Sequence, residues 1–87
     1  MIRLYKLNFA PGWDKYFSKM DKGEKEKILG KIEKIMTLEK ARHLKFGSPY
    51  YVVESGQHRI CYEQKGNTRT IAFAGNHKQY EKWYKKQ

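Results

Sequence analysis

Ile28, Leu29, Ile32, Ile35 and Met36 fall on one stripe at helical spacing while Lys25, Lys27, Lys31 and Lys34 fall elsewhere, and past Gly47-Ser48-Pro49 the apolar period drops from 3.6 to 2. That single change of period confines the chain to a helical first half laid against an antiparallel second half. Residues 50–54, 57–64 and 68–74 read as strands joined by tight turns at Ser55-Gly56 and Lys65-Gly66-Asn67, which makes a three-strand meander. Ahead of the main helix, residues 2–9 alternate as a strand with Ile2, Leu4 and either Tyr5 or Leu7 turned inward, and Ala10-Pro11-Gly12 ends it. Trp13, Tyr16, Phe17 and Met20 predict a short helix over 12–20. Asp21 with Glu24 three positions on predicts a capping box for the main helix, weakened by Gly23 in its first turn, and that helix is expected to reach 38 or 39. Tyr80, Trp83 and Tyr84 predict a closing helix over 77–86. The order is β-α-α-β-β-β-α: a two-layer α+β fold, one domain over residues 1–87, with a helical hairpin laid on one sheet face.

Charge narrows the partners. Nineteen Lys and Arg against nine Asp and Glu leave a net charge of +10, a field that draws RNA, DNA or acidic protein segments. Seven Tyr, four Phe and two Trp exclude a disordered basic tail. The surplus collects in three stations of the second half: Arg42-His43-Leu44-Lys45, then Arg59, then His77-Lys78 followed by Tyr80 and Tyr84. Cys61, the only cysteine, has no intramolecular partner, which points to a reducing compartment. No apolar run has the length of a membrane span, and Arg3 and Lys6 interrupt any signal-peptide core, so a soluble cytoplasmic protein is expected, with no membrane partner.

Strand alternation puts Ile60 and Tyr62 on one face and Arg59, Cys61 and Glu63 on the other. In the last strand the same rule turns Ile71 and Phe73 inward and leaves Thr70, Ala72 and Ala74 outward. The sheet face away from the helices is therefore expected to be bare, with room for a ligand. Arg59 on that face is either a phosphate grip or a surface arginine paired with Glu54 or Glu63. His77, at the junction Gly75-Asn76-His77, is the best general acid or base in the chain, or else a residue packing at a helix start. Tyr80, one turn on, either orients or protonates a substrate or shares an apolar stripe with Trp83 and Tyr84. His43 and Lys45 flank Leu44 on an extended connector, an arrangement that suits a phosphate grip or simple solvation. His58 shares the face of Ile60 and is expected to be partly buried and hydrogen-bonded, and Cys61 to be inert. The three histidines lack the spacing to one another, to Cys61 or to a carboxylate pair that a metal site needs, and there is no phosphate-cradling glycine motif. Neither metal nor small-molecule cofactor is expected, and any cleavage of nucleic acid is expected to be metal-independent.

The element order, Arg42-His43-Leu44-Lys45 with Gly47 behind it, the strand Gly56-Gln57-His58-Arg59-Ile60-Cys61-Tyr62, and the closing Gly75-Asn76-His77-Lys78-Gln79-Tyr80 together resemble the RelE/ParE toxin superfamily of toxin–antitoxin systems, across essentially the whole chain. The resemblance implies a RelE-like mRNA interferase: an endoribonuclease that works on the ribosome, cuts mRNA by attack of a ribose 2′-hydroxyl on the neighbouring phosphate, and so inhibits translation. It implies catalytic roles for Arg59 on the phosphate, Lys45, His77 as acid or base, and Tyr80 as the terminal-helix aromatic. RNA contacts fall to Arg42, His43, Lys45, Lys78 and Tyr84. Many members carry lysine where His43 stands, and the offset to the terminal aromatic varies, so Tyr84 is an alternative to Tyr80. An acidic cognate antitoxin is implied as partner, beside ribosome and mRNA. The superfamily also holds gyrase poisons that cleave no RNA, and a non-catalytic basic RNA- or ribosome-binding module is the further alternative.

Overall fold

Asp21 stands in extended backbone and its carboxylate accepts the Glu24 N–H at 2.8 Å, which starts helix α1, Lys22–Ile35. Of the predicted capping box, this is the half observed. The structure, a computed structural model, describes residues 5–37 and 50–86 and, for residues 42 and 43, the backbone. Ile2, Leu4, Leu38, Glu39, Leu44, Lys45 and Gly47 lie outside the described residues. The strands are β1 (Lys6–Phe9), β2 (Arg42–His43), β3 (Tyr50–Ser55), β4 (His58–Lys65) and β5 (Thr68–Asn76), and α2 (His77–Lys85) closes the chain. They form one sheet in the order β1-β5-β4-β3-β2, with β1 parallel to β5 and the other pairs antiparallel. The α+β reading and the meander hold. The connector proves to carry the edge strand β2, which no alternation of two residues can announce.

Residues 12–20 are not a helix. The chain turns through 11–16 and makes a single 3-10 turn at Phe17–Lys19. The reason is where its aromatics go. Trp13, Phe17 and Met20 pack against the α1 side of the sheet, while Tyr16 packs edge-on to Phe73 on the other side, with ring centroids 5.8 Å apart. A regular helix would hold all four on one stripe.

The larger departure is a β-bulge. Cys61 pairs with Phe73 but Tyr62 pairs with Ile71, so Ala72 is the extra residue in β5. Beyond it the alternation reverses. Ile71 and Ala74 join Ile28, Ile32 and Ile35 of α1 and Val53, Ile60 and Tyr62 in one core, whereas Phe73 joins Val52 and Cys61 in a second core on the opposite face. Phe73 therefore does not point inward beside Ile71, and Ala74 is not outward. Tyr80 and Trp83 of α2 cover the second core, Trp83 stacking on Phe73 at 5.3 Å. The helices thus lie on both faces, and the face expected to be bare is roofed by α2 except at one end.

Arg69 is the buried cation of the first core, only 2% exposed. Its Nη1 donates to the Ile35 carbonyl at 2.6 Å, its Nε donates to Gln64 Oε1 at 3.0 Å, and its guanidinium lies 3.7 Å from the Tyr5 ring centroid and 5.0 Å from that of Tyr62. Ile35 ends α1, where carbonyls lack intrahelical donors and a cation suits the helix dipole. Among the described residues Arg69 makes no ion pair, so these carbonyl, amide and ring contacts replace its hydration.

Two expectations follow from this packing. Replacing Arg69 by Met leaves the Ile35 carbonyl and Gln64 unpaired and lowers unfolding free energy by about 3 kcal/mol in urea titration, since hydrogen bonds from charged groups contribute about 1.5–3 kcal/mol each; Arg69→Lys, without the planar fork, recovers only part. Burial pushes the Cys61 thiol up to about 12, with the Arg59 charge pulling the other way. A raised folded-state value stabilises fully below the ordinary 9.0 and is lost as pH climbs toward 12. Iodoacetamide at mildly alkaline pH should leave native Cys61 unlabelled and react once urea unfolds the chain.

Candidate functional site

The uncovered end of the second face lies where β3 finishes, β4 begins and β5 runs into α2. Gly56, at φ +62, takes the first central position of the two-residue turn between Ser55 and His58, which sets Glu54, Arg59 and Gly75 opposite one another across three strands. Gly75 admits no side chain: a Cβ there would stand 2.7 Å from Gln79 Oε1 and 2.8 Å from Phe73 Cζ. This close approach lets α2 descend onto the sheet beside Arg59. Asn76 then caps α2 with a complete capping box, its side chain accepting the Gln79 N–H and Gln79 Oε1 accepting the Asn76 N–H, both at 2.9 Å. His77 and Lys78 are delivered at the first turn of a fixed helix.

Arg59 is held from both sides. Its Cζ lies 4.9 Å from the Tyr80 ring centroid, and Nη2 lies 3.6 Å from Glu54 Oε1. Of the two readings of this arginine the ion pair with Glu54 is observed, and with the stack on Tyr80 it holds the guanidinium at the wall of a concavity of about 510 Å³ that His77 and Lys78 also line. A second concavity of about 430 Å³ adjoins, lined by His77, Tyr80, Glu81, Tyr84 and Lys85, with the Tyr80 and Tyr84 rings 5.9 Å apart. His77 stands between the two. Its Nε2 is 3.0 Å from Glu81 Oε1, and its ring lies nearly parallel to Tyr80 at 6.5 Å.

Burial raises the Tyr80 phenol above its ordinary value, the nearby Cys61 adding to this, while the charge of Arg59 and its hydrogen bond to the phenol act in the opposite sense. The phenol therefore stays protonated at neutral pH and acts as a donor rather than a base. Fixed positive charge at Arg59 and Lys78, an imidazole at His77 and a neutral phenol at Tyr80 suit a phosphodiester whose transition state gathers negative charge.

The structure brings together Arg59, His77, Lys78, Tyr80 and Tyr84. Of the connector, Arg42 and His43 form the edge strand β2, paired with Val52 and Tyr51, and their side chains, like all of Lys45, fall outside the described residues. His58 is only partly exposed and faces Glu24 Oε2 from Nε2 at 3.6 Å, too far for the hydrogen bond expected of it. Glu81 was missed by sequence reasoning, although its four-residue offset from His77 marks a neighbour on one helix face. Among the described residues no three His, Cys, Asp or Glu side chains gather to hold a metal, and no helix is long and apolar enough to cross a membrane.

No family model and no curated protein sequence matches the chain. Among solved structures, the RelB-RelE antitoxin-toxin complex from Methanococcus jannaschii matches at 19% identity and TM-score 0.70, over 88% of this chain and 98% of that one. The E. coli toxin RelE, as a double arginine-to-alanine mutant in complex with an antitoxin RelB peptide, matches at 17% identity and TM-score 0.69, over 97% and 95%. With its N-terminal strand, long helix, three-strand meander and closing helix, the chain has the fold of the RelE toxins.

Proposed function

We propose that the chain is the toxin of a toxin–antitoxin pair, a metal-independent endoribonuclease that cuts mRNA on the ribosome and acts in the cytoplasm. The observation that carries this reading is that Arg59 and His77 line one concavity, with Tyr80 against Arg59. The scissile phosphate sits on Arg59, whose charge persists at any working pH. His77 takes the proton of the ribose 2′-hydroxyl, the 2′-oxygen attacks phosphorus, and the bond to the 5′-oxygen breaks, leaving a 2′,3′-cyclic phosphate and a 5′-hydroxyl. Tyr80, held as the neutral phenol, hydrogen-bonds to the departing oxygen and donates the proton it needs. Lys78 neutralises an adjacent phosphate, and Tyr84 extends an aromatic surface on which a base can stack. Arg42, His43 and Lys45 are the further RNA contacts, Lys45 with a share in charge stabilisation.

A net charge of +10 supports both a polyanionic substrate and an acidic antitoxin. The fold's likeness to toxins seen in complex with antitoxins supports that partner as well. The test is to incubate the purified chain with programmed ribosomes, with naked mRNA and with gyrase. Cuts in ribosome-bound message are expected, and His77→Ala or Arg59→Ala should slow single-turnover cleavage by about a hundredfold or more with ribosome affinity nearly unchanged. Gyrase-trapped breaks with intact message would replace this reading by that of a gyrase poison. Steeply salt-dependent binding with neither activity would leave a basic binding module.

A further inference from the structure

Glu81 has no place in the chemistry described above, yet its Oε1 lies 3.0 Å from His77 Nε2. Helix stability does not account for it. A basic group in the first turn of α2 and an acidic group one turn later oppose the helix macrodipole, the less favourable orientation for a four-residue pair. Both side chains are more than half exposed, so an ion pair there contributes little to folding. What the contact does determine is the ring. The carboxylate charge 3.0 Å from Nε2 favours the neutral tautomer with its proton on that nitrogen and leaves the Nδ1 lone pair free, and among the described residues Nδ1 has no hydrogen-bond partner. His77 bounds both concavities, Glu81 only the one away from Arg59. The carboxylate therefore holds His77 from the side opposite the phosphate grip.

We propose that Glu81 is a positioning residue that presents His77 Nδ1 to the ribose 2′-hydroxyl, an inference that rests on the nuclease reading. The proton moves from the 2′-oxygen to Nδ1 as the oxygen–phosphorus bond forms and the bond to the 5′-oxygen breaks, and the resulting imidazolium lies beside the Glu81 carboxylate. The groups facing His77 are Lys78, Tyr80, Glu81, Tyr84 and Lys85 on α2, with Glu54 on β3 and Arg59 on β4 across the concavity.

The experiment compares wild type, Glu81→Ala and Glu81→Gln on programmed ribosomes, with ¹⁵N NMR of the free proteins to read the His77 tautomer. Glu81→Ala should lower the single-turnover rate by about tenfold or more, the size of effect known when a carboxylate orienting a histidine is removed, with ribosome affinity unchanged. Glu81→Gln, which keeps an oxygen dipole at that place but no charge, should recover part of the rate. The spectrum should show Nε2–H in wild type and a tautomer mixture in Glu81→Ala. An active wild type with Glu81→Ala equally fast, or an unchanged tautomer in that variant, overturns the inference alone. A wild type that leaves ribosome-bound message intact overturns the nuclease reading and this inference together.

Discussion

One extra residue in β5 divides the apolar side chains of a single sheet between two faces, and the rest of the architecture depends on that division. Without the bulge at Ala72, Phe73 would follow Ile71 into the α1 core and the other face would offer α2 only small side chains. With it, Phe73 becomes the platform for Tyr80 and Trp83. The final helix then has an apolar reason to lie across the sheet, and Gly75 gives it the clearance to do so. Arg59 gains its aromatic neighbour through the same displacement, because Tyr80 is carried by the helix that Phe73 anchors.

The opposite face is organised around a charge. Arg69 takes up the last carbonyl of α1 and lies beside Tyr5 immediately ahead of β1, whose own backbone N–H donates to the Met36 carbonyl at 2.9 Å. The end of α1, the approach to β1 and the start of β5 are thereby joined at one place. Cations therefore do two unlike jobs here: one is desolvated and structural, while Arg59 is left a quarter exposed at the mouth of a concavity.

The pattern of residues carried the parts of the fold that obey a single period. Ile28, Ile32 and Ile35 announced α1, and the two glycine turns announced the meander. What stayed hidden breaks a period or depends on distant partners. Ala72 looks like any small strand residue, and the bulge that inverts the following positions is set by what α2 and α1 each need to cover. The aromatics from Trp13 to Met20 have helical spacing but serve two faces. Arg69 reads as a surface charge because the carbonyl that binds it is 34 positions away. At the site, Arg59 and His77 were legible from strand parity and a strand-to-helix junction. Glu54 was legible too, as a cross-strand partner of Arg59, whereas Glu81 was not, since a glutamate on an exposed helix face has no sequence signature separating a positioner from a solubilising group.

The parallel pairing of β1 with β5 joins Lys6–Phe9 to partners beginning at Thr68, far along the chain. A nascent polypeptide holds that edge segment unpaired until the β4–β5 hairpin emerges, so closure of the sheet waits on its most non-local pairing. His77 and Tyr80 are synthesised later still. The site therefore matures only after every strand of the sheet has been made, and a product that stops short of α2 has neither its imidazole nor its phenol.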